Sequence, residues 1–112
     1  MMGITMTITA DNFPRRGQYV ETEHHGLPCV VRTTDFGHKC GYIGLPESHP
    51  LFGKHYDEVP DVVDAFGGFT FSEPGAGGLW WIGWDDAHYE KFSGDHMQEC
   101  ARLAELLMGP LD

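Results

Sequence analysis

The stretch at residues 29–45, CVVRTTDFGHKCGYIGL, decides the fold of this chain. Its first part, residues 29–34, is rich in β-branched side chains and predicts a strand. Asp35, Phe36 and Gly37 have the composition of a turn, and Lys39–Leu45 resumes an extended pattern. These two strands and the turn between them predict an antiparallel β-hairpin.

Further extended segments flank this hairpin. Residues 4–9 alternate apolar side chains with threonines, a period of two that indicates a strand with one buried face. Three more strands are predicted at residues 17–24, 69–71 and 79–84. In the last of them Trp80 and Trp84 share one side and Trp81 takes the other, an arrangement that favours core packing over a stacking platform for a nucleotide.

Two segments have helical spacing. Apolar residues at positions 59, 62, 63 and 66 predict a short amphipathic helix, with Pro60 in its first turn and Gly67-Gly68 at its end. The second helix is better defined: Asp95 can cap its start, Gln98 lies three residues on, and Gly109-Pro110 stops it. Its apolar face comprises Met97, Cys100, Ala101, Ala104, Leu107 and Met108.

These elements predict a single α+β domain over residues 1–112. It consists of an antiparallel sheet of four to six strands, a C-terminal helix, and a long loop rich in Gly, Pro and His at residues 46–56. With 15 glycines and 7 prolines in 112 residues, a large share of the chain must form turns, which argues against a helical bundle.

The sequence also indicates the cellular compartment of the protein. The first ten residues lack the basic and apolar regions of a signal peptide, and no stretch has the length of a membrane span. Three cysteines without a close pair favour a reducing environment over a disulfide framework. We therefore expect the protein in the cytoplasm of the cell that makes it.

Charge is divided unevenly along the chain. Residues 1–56 contain five acids and five bases, whereas residues 57–112 contain twelve acids and only Lys91 and Arg102, so the whole net charge of −10 lies in the second half. Such a surface repels nucleic acid and membranes and attracts basic partners. The alternative is that the acids only keep a small protein soluble.

Histidines and acids in the middle of the chain suggest a second kind of site. A mixed His/Asp set of His55, Asp57, Asp85 and His88 would suit zinc or another transition metal. The same side chains could instead satisfy backbone groups of a Gly- and Pro-rich loop. Cys40 and Ser48 are candidate nucleophiles, but neither lies in a recognisable catalytic motif.

Four segments resemble a family of small accessory proteins encoded by phages and prophages. They are GHKCGY at residues 37–42, HPLFGKHYD at 49–57, GGFTF at 67–71 and WWIGWDDAH at 80–88. The resemblance covers residues 29–89 and implies a viral origin without assigning an activity. Members carry a histidine where Phe66 stands and Gly-Asp near Glu90, so a site built from those positions is altered in this chain.

Viral origin and excess acid together favour a non-enzymatic inhibitor. Counter-defence proteins of phages present carboxylates to grooves lined with Lys and Arg, and grooves that bind DNA are of this kind. We therefore expect a basic host partner, such as a CRISPR effector, and no direct contact with nucleic acid or membrane. The carboxylates predicted to bind it are Asp57, Glu58, Asp61, Asp64, Asp85, Asp86 and Glu90. The alternative is a small hydrolase or a metal- or nucleotide-binding protein that uses the His/Asp set and the tryptophans.

Overall fold

A computed structural model describes residues 12–35, 37–86 and 94–111. In this part of the chain there are five strands and one α-helix, joined by turns and two short 3₁₀ helices, Tyr56–Glu58 and Ala76–Gly78. The elements are β1 Gln18–His24, β2 Leu27–Thr33, β3 Lys39–Leu45, β4 Phe71–Gly75, β5 Leu79–Asp85 and α1 His96–Leu107. The strand predicted at residues 4–9 lies outside the described residues.

The strands form one antiparallel sheet in the order β1-β2-β3-β5-β4. The predicted α+β class, an antiparallel sheet with a C-terminal helix, is confirmed. The predicted hairpin of β2 and β3 lies at the centre of the sheet, with β5 on the far side of β3. The described residues include no helix that is both long and apolar enough to cross a membrane.

The turn of the outer hairpin, β1–β2, has only two residues. His25 and Gly26 both have positive φ, 52° and 82°. Two positive φ values in succession are typical of a type I′ turn, whose twist matches the twist of the strands that it joins. The turn is closed by the paired residues His24 and Leu27, so β2 starts two residues before the predicted position.

One face of the sheet packs against α1. The helix buries Cys100, Leu103, Ala104 and Leu107. Leu103 is not part of the predicted apolar face, and Met108, which is, is 54% exposed. Asp95 caps the helix by accepting a hydrogen bond from the Gln98 N–H at 2.9 Å. The sheet and its loops contribute Leu27, Cys29, Ile43, Leu45, Leu51, Val63, Ala65, Ile82 and Trp84 to the same cluster. This is the main hydrophobic core.

A smaller cluster covers the opposite face. Trp81 is fully buried there, together with Phe13, Val30 and Tyr42. Phe13 makes an edge contact with Tyr42 at a centroid distance of 5.1 Å and stacks on Phe71 at 5.3 Å. The alternation of Trp81 and Trp84 between two buried faces confirms that these rings build the core.

The helix predicted over residues 59–66 is wrong. The structure has the 3₁₀ helix Tyr56–Glu58 followed by irregular turns. Val59 is extended, with ψ of 126°, because a residue that precedes proline avoids the α region, and Pro60 follows it. The few residues left before Gly67 are too short to sustain a helix. Val63 is nevertheless buried, so an apolar residue of this pattern packs a loop, and not a helix, into the core.

The strand predicted at residues 69–71 is displaced. β4 begins at Phe71 and continues through Pro74 to Gly75. A proline is tolerated because β4 is an edge strand, which needs N–H groups on one side only. Residues 69 and 70 precede the strand, and the Thr70 N–H donates to Gly83 O at 2.9 Å.

At Gly41 the strand β3 lies very close to Cys100 of α1 and to the Trp84 ring. A Cβ at this position would lie 2.7 Å from Cys100 Sγ and 2.8 Å from Trp84 Cε2, both fully buried. We expect Gly41→Ala to lower the free energy of unfolding by about 1–3 kcal/mol, because neither the helix nor the ring can move aside without opening the core. Urea denaturation followed by tryptophan fluorescence measures the change.

Gly109→Ala is the matched control. A Cβ there would lie 3.6 Å from the nearest heavy atom, which is ordinary contact, and the residue is exposed. The control should change stability by less than about 0.5 kcal/mol. Equal effects of the two substitutions would contradict the close packing at Gly41.

Candidate functional site

Three of the predicted carboxylates line one depression in the surface. We call residues 57–64 the acidic loop. Asp57, Asp61 and Asp64 surround the depression together with apolar and small residues: Tyr56, Val59, Pro60, Val63, Ala65, Gly68 and Phe69. None of these lining residues is Lys, Arg or His. Glu58 lies in the same loop, on the 3₁₀ helix.

Arg102 of α1 fixes the end of the acidic loop. Its guanidinium donates to the Asp64 carboxylate at 3.1 Å and to the Asp64 carbonyl at 2.7 Å. It also donates two hydrogen bonds of 2.8 Å to the buried Glu99. The hydrogen bond from Arg102 holds the pKa of Asp64 below its usual range, so this carboxylate stays ionised while 71% of its side chain remains exposed.

A capping arrangement fixes the start of the loop. The His55 N–H donates to the Glu58 carboxylate at 3.1 Å, and Glu58 N–H donates back to His55 O at 2.9 Å. His55 Nδ1 lies 2.8 Å from Asp57 Oδ1. That contact requires a proton on Nδ1, so the longer 3.3 Å approach of the Asp57 N–H to the same nitrogen is not a hydrogen bond. The Asp57 side chain stays 72% exposed.

His49 ties the preceding loop to the end of the helix. Its Nε2 donates to Leu107 O at 2.8 Å, and its Nδ1 accepts from Leu51 N–H at 3.0 Å. Both ring nitrogens are therefore used, which fixes the Nε2–H tautomer. Leu107 is the last residue of α1, where carbonyl groups lack partners within the helix. This histidine of the His-Pro-Leu segment is a structural clamp.

Two further hydrogen bonds join the same loop to the sheet. Trp80 Nε1–H donates to Lys54 O at 2.8 Å, and Tyr56 N–H donates to Ser72 Oγ at 3.1 Å. Residues 46–64 lack regular structure apart from one 3₁₀ turn, yet they are tied to α1, β4 and β5. The acidic loop is therefore tied down at both of its ends, beside Tyr56 and at Asp64.

Asp85 and Asp86 lie at the end of β5 and do not line the depression of the acidic loop. Asp85 accepts a hydrogen bond from Thr70 Oγ1 at 2.9 Å. Asp86 accepts from Lys39 N–H at 2.9 Å and lies 2.9 Å from His96 Nε2. Glu90, the last of the seven predicted carboxylates, lies outside the described residues.

His96 has a role that its sequence position did not indicate. Its ring stacks on Trp84 at a centroid distance of 5.4 Å and an interplanar angle of 6°, while Nε2 contacts Asp86. His38 Nδ1 lies 3.8 Å from the other Asp86 oxygen. No regular spacing links Asp86 and His96 in sequence, because they meet where the end of a strand approaches the first turn of a helix. Only the Asp95 cap, one residue before His96, hinted at this junction.

The charge of Asp86 reflects this environment. Burial alone would raise its pKa, but the hydrogen bonds from Lys39 N–H and His96, with the nearby His38, outweigh burial and lower the pKa. The Asp86 carboxylate thus stabilises the junction of β5, β3 and α1 as an anion.

The proposed metal set is only partly assembled. His55 and Asp57 are in contact, but Asp85 is engaged by Thr70, and His88 lies outside the described residues. Over residues 12–35, 37–86 and 94–111, no group of three or more His, Cys, Asp or Glu side chains has the arrangement of a metal site. The thiol of Cys40 is a poor nucleophile, because burial raises its pKa.

The His49 clamp can be tested by substitution. His49→Ala leaves the Leu51 N–H and the Leu107 carbonyl without their partners, and we expect it to lower the free energy of unfolding by about 2–4 kcal/mol. His55→Ala, in the same loop but exposed, should cost less than about 1 kcal/mol. Guanidinium denaturation of the two variants gives the comparison, and a milder effect at position 49 than at 55 would contradict the assignment.

The Asp86 anion gives a pH dependence of known sign. Because its folded pKa is lowered, its contribution is fully present above about pH 4, the ordinary pKa of aspartate, and is lost as the pH falls through the folded value. Asp86→Asn should therefore cost about 1–3 kcal/mol at pH 7, and this difference from the native chain should shrink below about pH 4.

Denaturation curves at pH 7, 5, 4 and 3 measure this trend. Asp61→Asn, the same substitution at an exposed position, is the control and should stay within about 0.5 kcal/mol of the native chain at each pH. A cost for Asp86→Asn that is unchanged at pH 3 would show that the carboxylate charge is not what stabilises the junction.

Three of the four segments singled out in the sequence, at residues 37–42, 67–71 and 80–86, meet at the β3–β5 pair. Cys40 pairs with Asp85 and Gly41 with Trp84, while Thr70 of the third segment bonds Asp85. The remaining segment, at residues 49–57, packs beside them through the loop that Trp80 holds. No known protein family, curated protein or solved structure matches the chain.

Proposed function

We propose that the protein is an acidic, non-enzymatic binding protein whose acidic loop occupies a basic, nucleic-acid-binding groove of a host effector. The observation that carries the proposal is the depression lined by Asp57, Asp61 and Asp64 with no basic residue in its lining. All three carboxylates are exposed. The Asp64 carboxylate is positioned by Arg102 of α1, and the Asp57 carboxylate by His55.

The charge balance around the loop supports a basic partner. The carboxylates that meet here are Asp57, Glu58, Asp61, Asp64 and Glu99. Arg102 is the one guanidinium that bonds any of them among the described residues, and it is shared between Asp64 and Glu99. The excess anionic charge is self-repulsive, and a groove lined with Lys and Arg relieves that repulsion on binding.

Rigidity matters for a protein that competes with DNA. A mobile acidic tail loses conformational entropy when it binds, whereas a loop already tied down loses little. Before a partner arrives, Arg102 holds the end of the acidic loop, and the contacts of His49 and Trp80 hold the segment that precedes it. Fixed carboxylates can then match basic side chains that are spaced to bind phosphates.

The biological setting belongs to the same proposal. The resemblance to phage and prophage proteins points to expression in the host cytoplasm, where CRISPR effectors act. Asp85, Asp86 and Glu90 would extend the contact beyond the depression. Because Asp85 and Asp86 are already engaged by Thr70 and His96, we place the main contact on the acidic loop.

Competition with DNA tests the proposal directly. Purified CRISPR effector complexes are bound to labelled target duplexes, and the protein is added at rising concentration and at two salt concentrations. We expect it to displace DNA from at least one effector, more weakly at high salt because exposed charges are screened over about 8 Å at physiological ionic strength. Failure to displace DNA from any effector of the panel would overturn the proposal.

A charge-matched pair of variants locates the contact. Asp57→Asn/Asp61→Asn/Asp64→Asn removes three charges from the depression, and Asp35→Asn/Glu47→Gln/Glu105→Gln removes three from exposed positions elsewhere. At about 0.3–1 kcal/mol for each exposed charge, the first variant should bind roughly 5–150-fold more weakly. If both variants compete equally well, net charge alone is responsible and the acidic loop is not the binding site.

A further inference from the structure

The outer strand β1 is exposed over almost its whole length. Its first six residues are exposed and only His24 is partly covered. In the part of the chain that the structure describes, β1 has a strand neighbour on one side only, β2. The strand also carries two of the large apolar side chains that are most open to solvent, Tyr19 at 43% and Val20 at 62%. An open edge of this kind is a template for another strand.

The hairpin geometry shows which backbone groups point outward. The two-residue turn makes His24 and Leu27 a hydrogen-bonded pair, and such pairs alternate along an antiparallel ladder. Gln18, Val20 and Thr22 therefore bond to β2. The N–H and C=O groups of Tyr19, Glu21 and Glu23 face away from the sheet and can accept a new strand.

We propose that a second copy of this chain occupies the edge, with the two β1 strands antiparallel and related by a two-fold axis at Val20. The axis sets Val20 against the partner subunit's Val20 in a non-hydrogen-bonded pair, where side chains are closest. Tyr19 then exchanges backbone hydrogen bonds with the partner subunit's Glu21, and Gln18 lies opposite the partner subunit's Thr22.

Charge and overlap select this register among the symmetric ones. An axis at Glu21 places Glu21 against the partner subunit's Glu21. An axis at Thr22 places Glu21 against the partner subunit's Glu23. Like charges directly opposite one another are destabilising. An axis at Tyr19 avoids this but pairs only residues 18–20 of β1. The axis at Val20 pairs residues 18–22, buries the exposed valine and opposes no two acids.

The dimer would carry its acidic loops at opposite ends. The acidic loop begins beside β4, where Tyr56 bonds Ser72, and β4 is the strand farthest from β1 in the sheet. Joining two β1 edges makes one continuous ten-stranded sheet with an acidic loop at each outer end. Pairing of the β1 edges therefore does not depend on what the acidic loops bind.

Cross-linking tests the register. In a non-hydrogen-bonded pair the Cα atoms lie about 4.5 Å apart, within the range that a disulfide spans. Val20→Cys should convert to a disulfide-linked dimer under mild oxidation. Thr22→Cys, one pair further along the same face, should stay a single chain, because the proposed register sets it against the partner subunit's Gln18. The native chain, treated identically, controls for Cys29, Cys40 and Cys100.

Sedimentation measures the assembly itself. The native chain should shift with concentration from its 12.5 kDa mass to twice that value. Val20→Lys should lose the dimer, because it sets two ammonium groups against each other, whereas Val62→Lys, the same change at an exposed valine of the acidic loop, should keep it. Circular dichroism checks that both variants fold. A native chain that stays monomeric at high concentration, or equal cross-linking at positions 20 and 22, would overturn the proposal.

Discussion

The close packing of α1 on the sheet is the constraint on which the rest of the structure depends. Gly41 lacks a side chain at a point where Trp84 and Cys100 lie against β3, so the helix can pack directly on the strands. Burial on this scale is the main source of stability in a domain of this size. It also makes α1 a fixed support for polar contacts.

Those polar contacts hold the irregular segments of the chain. His96 at the first turn of α1 meets Asp86, Arg102 in the middle holds Asp64, and Leu107 at the end receives His49. A loop without a regular hydrogen-bond ladder must satisfy its backbone groups in other ways, because buried unpaired groups are costly. His49 and Arg102 satisfy backbone carbonyl groups in this way, at Leu107 and Asp64, and the end of the acidic loop is held as a consequence.

Periodic patterns predicted the regular elements, and aperiodic contacts could not be predicted. β3 follows from an extended pattern after a turn, and α1 follows from helical spacing and the Asp95 cap, all of which are local. The 59–66 segment has helical spacing too, but Pro60 restricts the residue before it and the pattern then has no room to continue. The partners of Arg102 and His96 depend on how the helix docks. A single sequence gives no signal for the ion pair of Arg102 with Asp64, which lie 38 positions apart.

The two ends of the sheet differ in a way that separates their roles. At the β4 end, fixed carboxylates outnumber basic side chains, so a second copy of the same surface is repelled and a basic surface is attracted. At the β1 end, Glu21 is already paired with Arg15 at 2.6 Å, which leaves an edge with an exposed valine and less uncompensated charge. Of these two ends, the β1 end is the one at which charge permits the self-association that we propose. If both proposals hold, two copies could engage a basic partner at two points, with affinity set by the spacing of the ends as much as by either contact.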